Sequence, residues 1–245
     1  MNRGAHLFFD LGGTLVDLRG LIPAMEHELS IRYPKLAGEA NRVAVTWFKE
    51  TAKSTAKARG SAFRSGVVLT VEALVGAIAK AGVELDHDSA VDCVHGACKG
   101  YLRRAKLYPD AGRASLRSLR SKVSSMGIVT DSDYSLIRPL IKRLRLSDIF
   151  DVVIVSESMR TYKPDPRIYR AALEAAKAVA DRSVFISDSV IDLEGAASVG
   201  MGTVWIRRGE SADVRPPMKT VVLRDLHRLV DIVSALSRDL RPRTT

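Results

Sequence analysis

Long apolar runs are missing from this sequence. No stretch approaches the ~20 residues that a helix needs to cross a bilayer, so no membrane-embedded role is expected. A signal-peptide cleavage pattern is missing too, because the first apolar residues lead straight into an acidic motif. A cytoplasmic location is therefore the default expectation. Cysteine is scarce: Cys93 and Cys98 flank His95 in a helical stretch and point to different sides of it. With no second ligand pair elsewhere, helix packing rather than zinc binding is their expected role. There is no internal repeat, no low-complexity segment and no nucleic-acid signature. The charge alone would allow a polyanion partner, since 38 Lys and Arg face 28 Asp and Glu, a net +10. Those basic residues are spread along the chain, however. The reading is a solvated surface that attracts small phosphorylated anions rather than nucleic acid.

What is present reads as a globular chain with a real core. Apolar residues make up 46% and charged residues 27% of 245, enough for one domain with an insertion or for two small domains. His6-Leu7-Phe8-Phe9 is a short apolar run that ends in Asp10 and continues as Leu11-Gly12-Gly13-Thr14. It reads as a buried strand with an acid at its carboxyl end. Ligands of open α/β sheets bind at that edge. A carboxylate there, beside backbone loosened by Gly12 and Gly13, can reach a metal ion or a phosphorus atom. An acid that merely caps loop amides is the structural alternative.

The pattern then turns helical for about ninety residues: Leu21–Tyr33, Glu39–Ala58, Thr70–Ala81 and Asp88–Arg104 are amphipathic, with Thr70 and Asp88 as caps. Four helices without a strand read as a small bundle over 18–108, inserted into a core made of 1–17 and 109–245. The loop Arg59–Gly66 is the most flexible and basic part of that insertion. From Tyr108 strands and helices alternate. Asp110 is expected to cap a helix reaching Ser125, and Met126–Thr130 is a strand. A helix opening at Asp131-Ser132-Asp133 holds Pro139, either in its first turn or as a kink. Val152–Val155, Ser183–Ser187, Thr203–Ile206 and Thr220–Leu223 are further strands. Asp165-Pro166 starts a helix, and Asp225–Leu236 closes the fold as another. This alternation predicts an α/β protein: a Rossmann-like, mostly parallel sheet with right-handed crossovers and helices on both faces.

The strand ends collect Asp10, Thr130, Lys163 on the loop Tyr162-Lys163-Pro164-Asp165-Pro166, and Asp188 with Asp192. Singly, each has an ordinary structural use as a cap, a strand end or a surface charge. Together they fit phosphoryl transfer. Asp10 can attack phosphorus and form an acyl phosphate. Asp10, Asp188 and Asp192 offer the oxygen ligands that Mg²⁺ prefers. Lys163 would neutralise charge on Asp10 and phosphate. Thr130, with the amides of Asp131 and Ser132 at a helix N-terminus, can hold phosphate oxygens.

In these ordered motifs the chain resembles the haloacid dehalogenase-like hydrolases. The matching residues are Phe9-Asp10-Leu11-Gly12-Gly13-Thr14-Leu15-Val16-Asp17, the strand ending in Thr130, Lys163-Pro164-Asp165-Pro166 with Ile168-Tyr169 and Ala172-Leu173, and Ser187-Asp188-Ser189 with Asp192. Gly195-Ala196-Ala197 through Gly200-Met201 is similar as well. The helical insertion falls where one branch of that superfamily carries its cap. The resemblance implies Asp10 as nucleophile and the backbone carbonyl of Gly12 as a further metal ligand. It implies Thr130 and Lys163 as phosphate holders, and Asp188 and Asp192 as servants of Mg²⁺. Substrate contacts are expected from Gly13, Thr130, Asp131 and Ser132, and from Arg59 and Arg64 on the loop that can close over an anion.

One departure matters. Phosphatases of this superfamily usually place a second aspartate two residues after the nucleophile, to protonate the leaving group and later activate water; here Gly12 stands there. Such a group is worth ~10²–10⁴ in rate. Its loss harms alkoxide leaving groups most and acyl or aryl phosphates least. The dehalogenase branch usually has tyrosine at that position and lacks the acid that Asp188 supplies. Phosphonatases have a small residue there but need a lysine on the cap, where Lys35, Lys49, Lys53 and Lys57 read as solvated surface. Ser187 replaces a favoured glycine and is expected to crowd the metal loop slightly. The expected function is a Mg²⁺-dependent phosphohydrolase of small phosphorylated metabolites. The alternatives are a weakly active or non-catalytic binder of such metabolites, and phosphonatase- or dehalogenase-type chemistry. Monomer and homodimer are equally compatible with the sequence.

Overall fold

Six short strands and the helices that cover them follow from alternating apolar runs and amphipathic stretches. The computed structural model describes residues 4–36, 38–58, 62–209 and 214–232. The strands are β1 (His6–Phe9), β2 (Ser125–Thr130), β3 (Val152–Val155), β4 (Ser183–Ser187), β5 (Gly202–Ile206) and β6 (Val221–Leu223). They form one parallel sheet in the order β3-β2-β1-β4-β5-β6. Such a sheet is buried on both faces, which is why β1, β2 and β4 show no polar alternation. On one face Leu7, Phe9, Ile128, Val184 and Ile186 share a core with Leu116, Leu140 and Ile149. On the other, Phe8, Val129 and Phe185 meet helices α8 (Pro166–Ala175) and α9 (Val190–Ser198) through Ile168, Tyr169 and Leu193.

Strand order and register decide where chemistry can occur. The chain steps from β1 to β2 to β3 in one direction, then jumps back across β1 to β4. That reversal opens a crevice at the carboxyl ends of the strands. Phe9 is level with Ile128 and Ile186. One residue beyond Phe9 lies Asp10; two residues beyond its partners lie Thr130 and Asp188. All three emerge at the same edge.

Among the described residues four helices follow β1 before residue 105: α1 (Leu21–Arg32), α2 (Ala40–Lys57), α3 (Gly66–Ala79) and α4 (His87–Arg104). They bury a core of their own, with Met25, Leu29, Trp47, Leu74, Ile78, Cys93 and Val94 at its centre. Two starts differ from expectation. Helix α3 begins at Gly66 behind Ser65, not at Thr70, and α4 is capped by Asp86, not Asp88, since the Asp86 carboxylate accepts the Ser89 amide at 2.9 Å. After them come α5 (Arg113–Arg120), α6 (Tyr134–Arg143) and a short α7 (Ser156–Met159) that the sequence does not signal. Asp110 caps no helix. It sits in a 3₁₀ turn, and one of its oxygens accepts from Arg208 and from the Leu226 amide, each at 2.8 Å. Pro139 lies in the interior of α6, past its first turn. Of the closing helix expected over Asp225–Leu236, residues 229–232 are helical, and 233–236 lie outside the described residues.

Asp133 joins the helical insertion to the sheet. It precedes α6, yet its carboxylate accepts the Gly66 and Val67 amides of α3 at 2.9 and 2.6 Å. Those are two of the amides that a helix start leaves without an internal partner. Next to it, the Tyr162 hydroxyl donates to the Arg64 carbonyl at 2.8 Å, and the rings of Phe63 and Tyr162 are 5.2 Å apart. Asp133→Ala strands both amides and is expected to cost about 1–2 kcal/mol of stability. A lowered urea midpoint would show it; an unchanged midpoint would mean that this clamp contributes nothing.

Candidate active site

Asp10 leaves β1 where the sheet edge opens, and the loop that follows is shaped by what must pass beside it. Gly13 adopts a φ of +86°, and a Cβ placed there would lie 2.3 Å from Asp188 Oδ2. Only glycine satisfies both constraints. Thr14 then ties this loop to the end of β4. Its hydroxyl donates to Asp188 Oδ1 at 3.1 Å and accepts the Asp188 amide at 2.9 Å.

Lys163 comes from the loop between α7 and α8 and reaches the centre of this group. Its Nζ is 2.5 Å from Asp10 Oδ1 and 2.6 Å from Asp192 Oδ2. The three side chains are only 3%, 8% and 11% exposed. The ammonium is therefore shared between two buried carboxylates, with a third, Asp188, close by. Burial opposes the lysine's charge, but Asp10 and Asp192 more than offset it, and its pKa lies well above the ordinary value. Asp10 is raised from 3.8 to about 7: burial is the largest cause, Lys163 opposes it, and Asp192 and Asp188 add to it. Asp188 is raised as well, chiefly by burial. One positive charge faces three acids, so the pocket carries surplus negative charge.

The structure brings Asp10, Lys163, Asp188 and Asp192 together and sets Thr130, buried at the end of β2, on the wall of the same cavity. Other sequence expectations meet different partners. The Ser132 amide does not point to an open anion site: it donates to Ser156 Oγ at 2.9 Å, and that hydroxyl returns a bond to the Ser132 carbonyl. Asp131 accepts the Lys163 backbone amide through its carboxylate at 3.0 Å. Arg64 pairs with Glu72 and is not part of the cavity wall. Arg59 lies outside the described residues. Ser187 does not crowd its loop. Its hydroxyl donates to Asp192 Oδ2 and accepts the Ser189 amide, both at 3.1 Å, and so fixes the turn that carries both acids.

Several contributors escape sequence reading. Arg208 donates to the Thr14 carbonyl and to Asp110, both at 2.8 Å, and lies over the Tyr108 ring at 4.0 Å. It thereby holds the Thr14 loop from the far side, and nothing local in Ile206-Arg207-Arg208 signals that task. The Tyr169 hydroxyl donates to the Asp192 carbonyl at 2.8 Å. Ser156 belongs to the unsignalled α7. Thr14 did have a signal, as part of the Asp10 motif.

An all-oxygen donor set with surplus negative charge suits a hard divalent cation. Among the described residues no three His, Cys, Asp or Glu side chains converge to hold a metal by themselves. Asp192 has Oδ2 engaged by Lys163 and Ser187, as Asp10 has Oδ1 engaged by Lys163. The groups that could hold a cation are the carboxylates of Asp10, Asp188 and Asp192 and the Gly12 carbonyl, with water or phosphate completing the shell.

The chain is similar to known proteins. A family model for haloacid dehalogenase-like hydrolases matches residues 5–200. The chain is 28% identical over 152 residues to a glyceraldehyde 3-phosphate phosphatase of Pyrococcus abyssi, covering 62% of each. It is 27% identical over 230 residues to (S)-2-haloacid dehalogenase H-109 of Pseudomonas putida, covering 92% of this chain and 96% of that one. The match thus spans less than two thirds of the phosphatase's length but nearly all of the dehalogenase. The solved L-2-haloacid dehalogenase of Xanthobacter autotrophicus superposes with a TM-score of 0.75 at 20% identity, over 95% of this chain and 99% of that one. At that identity the likeness is one of fold. No helix among the described residues is long and apolar enough to cross a membrane.

The raised Asp10 pKa has a sign that stability can read. A carboxyl whose folded pKa exceeds its unfolded 3.8 contributes fully below 3.8, and that contribution is lost as pH rises through about 7. Above that pH the folded chain carries a buried surplus charge. Asp10→Asn removes it and is expected to raise the melting temperature by about 2–4 °C near pH 8 in chelator, with no gain near pH 5. An equal effect at both pH values would remove the charge explanation.

Proposed function

The chain belongs to the haloacid dehalogenase-like hydrolases, and from that premise we propose that it hydrolyses small phosphate esters or acyl phosphates through an aspartyl-phosphate on Asp10. The observation that carries this reading is the buried Lys163 ammonium, 2.5 Å from Asp10 and 2.6 Å from Asp192. It holds Oδ1 of Asp10, so Oδ2 is the oxygen that attacks phosphorus. The P–O bond to the leaving group breaks, and that oxygen departs with the electron pair. Water then attacks phosphorus and breaks the bond to Oδ2, which releases inorganic phosphate and restores the carboxylate. Lys163 offsets charge on the incoming phosphoryl group, and the Thr130 hydroxyl holds one of its oxygens. Mg²⁺, when bound by Asp10, Asp188 and the Gly12 carbonyl, supplies the charge neutralisation that lets a phosphate dianion approach a carboxylate. Asp188 is kept in place for that task by Thr14, and Thr14 by Arg208.

With glycine at position 12 no carboxyl protonates the leaving oxygen from that side, so weakly basic leaving groups are favoured. The second reading is displacement of halide from carbon by the same Asp10. The dehalogenase relative that matches over 96% of its length favours it; the retained Asp188 favours phosphorus.

Wild type is expected to hydrolyse acetyl phosphate and p-nitrophenyl phosphate with Mg²⁺ and to lose that activity in chelator. Asp10→Asn should lower it by on the order of 10³-fold or more. Chloride release from (S)-2-chloropropionate in chelator would establish the second reading instead. Phosphate or beryllofluoride binding without any turnover would make the chain a binder. Gly12→Asp is sterically feasible, because a Cβ there lies 3.3 Å from the flexible tip of the Leu18 side chain. It should raise turnover of alkyl phosphates by about 10²-fold; no gain, with good wild-type activity, would mean another group already carries the proton.

A further inference from the structure

A cavity of about 410 Å³ opens above Asp10, between the sheet edge and the helical insertion. Its floor is Asp10, Gly12 and Thr130, and its walls include Met25 of α1, Trp47 and Phe48 of α2, Tyr101 of α4 and Leu136 of α6. No Lys, Arg or His side chain lines it among the described residues.

Most polar groups on those walls are already engaged. Asp133 accepts two amides of α3, and Asp131 accepts the Lys163 amide. The hydroxyls of Thr51, Thr55 and Thr70 each donate to a carbonyl of their own helix, and Trp47 Nε1 donates to the Thr70 carbonyl. The Tyr101 hydroxyl donates to Asp17 and that of Tyr162 to Arg64. Burial pushes the Cys98 thiol up to about 11, so it is neutral at ordinary pH. A second carboxylate entering here would meet no cationic side chain and few free donors, and would give up its water at a cost. An uncharged ring loses nothing of that kind, and a roomy pocket lined mostly by apolar surface suits such a ligand.

The same walls constrain the leaving group. With Gly12 beside Asp10, and Asp131 and Asp133 held by amides, no carboxylic acid in the cavity is placed to protonate a departing alkoxide. We propose that the group seated above Asp10 is an uncharged aromatic ring that leaves as an aryl oxide, so that the substrates are apolar aryl phosphate monoesters. This rests on the Asp10 phosphoryl-transfer reading given above. The P–O(aryl) bond breaks with its electron pair going to the ring oxygen, which is protonated by water after release. The cavity exceeds a single ring, so a fused bicyclic ring fills it better.

The comparison of 1-naphthyl with phenyl phosphate isolates the cavity, because the two aryl oxides have similar basicity. With Mg²⁺, kcat/KM for 1-naphthyl phosphate is expected to exceed that for phenyl phosphate about tenfold and that for glycerol 3-phosphate by about 10³-fold or more. Titration calorimetry should show 1-naphthol, the product, binding to the wild-type protein without turnover. Phe48→Glu places a charge on the half-exposed side of the wall and should cut the naphthyl-to-phenyl ratio about tenfold. Acetyl phosphate turnover with no naphthyl preference, or with a preference for glycerol 3-phosphate, overturns the aryl proposal and leaves the Asp10 reading standing. No turnover of any phosphate, acetyl phosphate included, overturns that reading and the aryl proposal with it.

Discussion

The ammonium of Lys163, buried between Asp10 and Asp192, is the interaction on which the rest of the site depends. A lone charge at that depth would be strongly disfavoured, and removing one partner of a buried pair leaves the other uncompensated. Here one cation serves two carboxylates at 2.5 and 2.6 Å while a third acid stands nearby. The balance is deliberately incomplete. A fully neutral cluster would stabilise the fold more but would have no reason to draw in a cation or a phosphoryl group. Burial is the main cause of the raised Asp10 and Asp188 pKa values, and the neighbouring acids add to it, so the ionised cluster is a strain on the folded state.

Around that centre, backbone and side chains are interlocked so that the acids cannot drift apart. Gly13 lets the loop pass under Asp188, Thr14 exchanges two hydrogen bonds with Asp188, and Arg208 grips the Thr14 carbonyl from behind. Ser187 and Tyr169 do the same for Asp192. On the opposite side, Asp133 holds the start of α3 and so sets the helices that roof the cavity. Charged floor and apolar roof are therefore built from different parts of the chain. The buried acids and Lys163 lie at the sheet edge, and the apolar walls come largely from the helices between β1 and β2.

Much of this was legible before any coordinates. Parallel strands buried on both faces appear as unbroken apolar runs, so β1, β2 and β4 could be found from the sequence, and each ended at or beside a group with chemical potential. Helix starts were less legible: Thr70 and Asp88 are acceptable caps, but Ser65 and Asp86 fill the role because the chain turns earlier. Asp110 looked like a cap and became a buried partner of Arg208. The Ser132 amide looked available and is held by Ser156, on a short helix with no periodic signal.

The sequence by itself determined the α/β order, the placement of Asp10, Thr130 and Asp188 at strand ends, and membership of a hydrolase superfamily. Those features follow from local periodicity and from short motifs whose residues are neighbours in the chain. Only the tertiary structure decided that Asp192 turns to Lys163 and Ser187, that Arg64 turns away to Glu72, and that the space above Asp10 is apolar. The reason is separation. Lys163 meets Asp10 across 153 positions, and Arg208 meets Thr14 across 194. Which polar atom satisfies which is settled only when the helices and the sheet have packed.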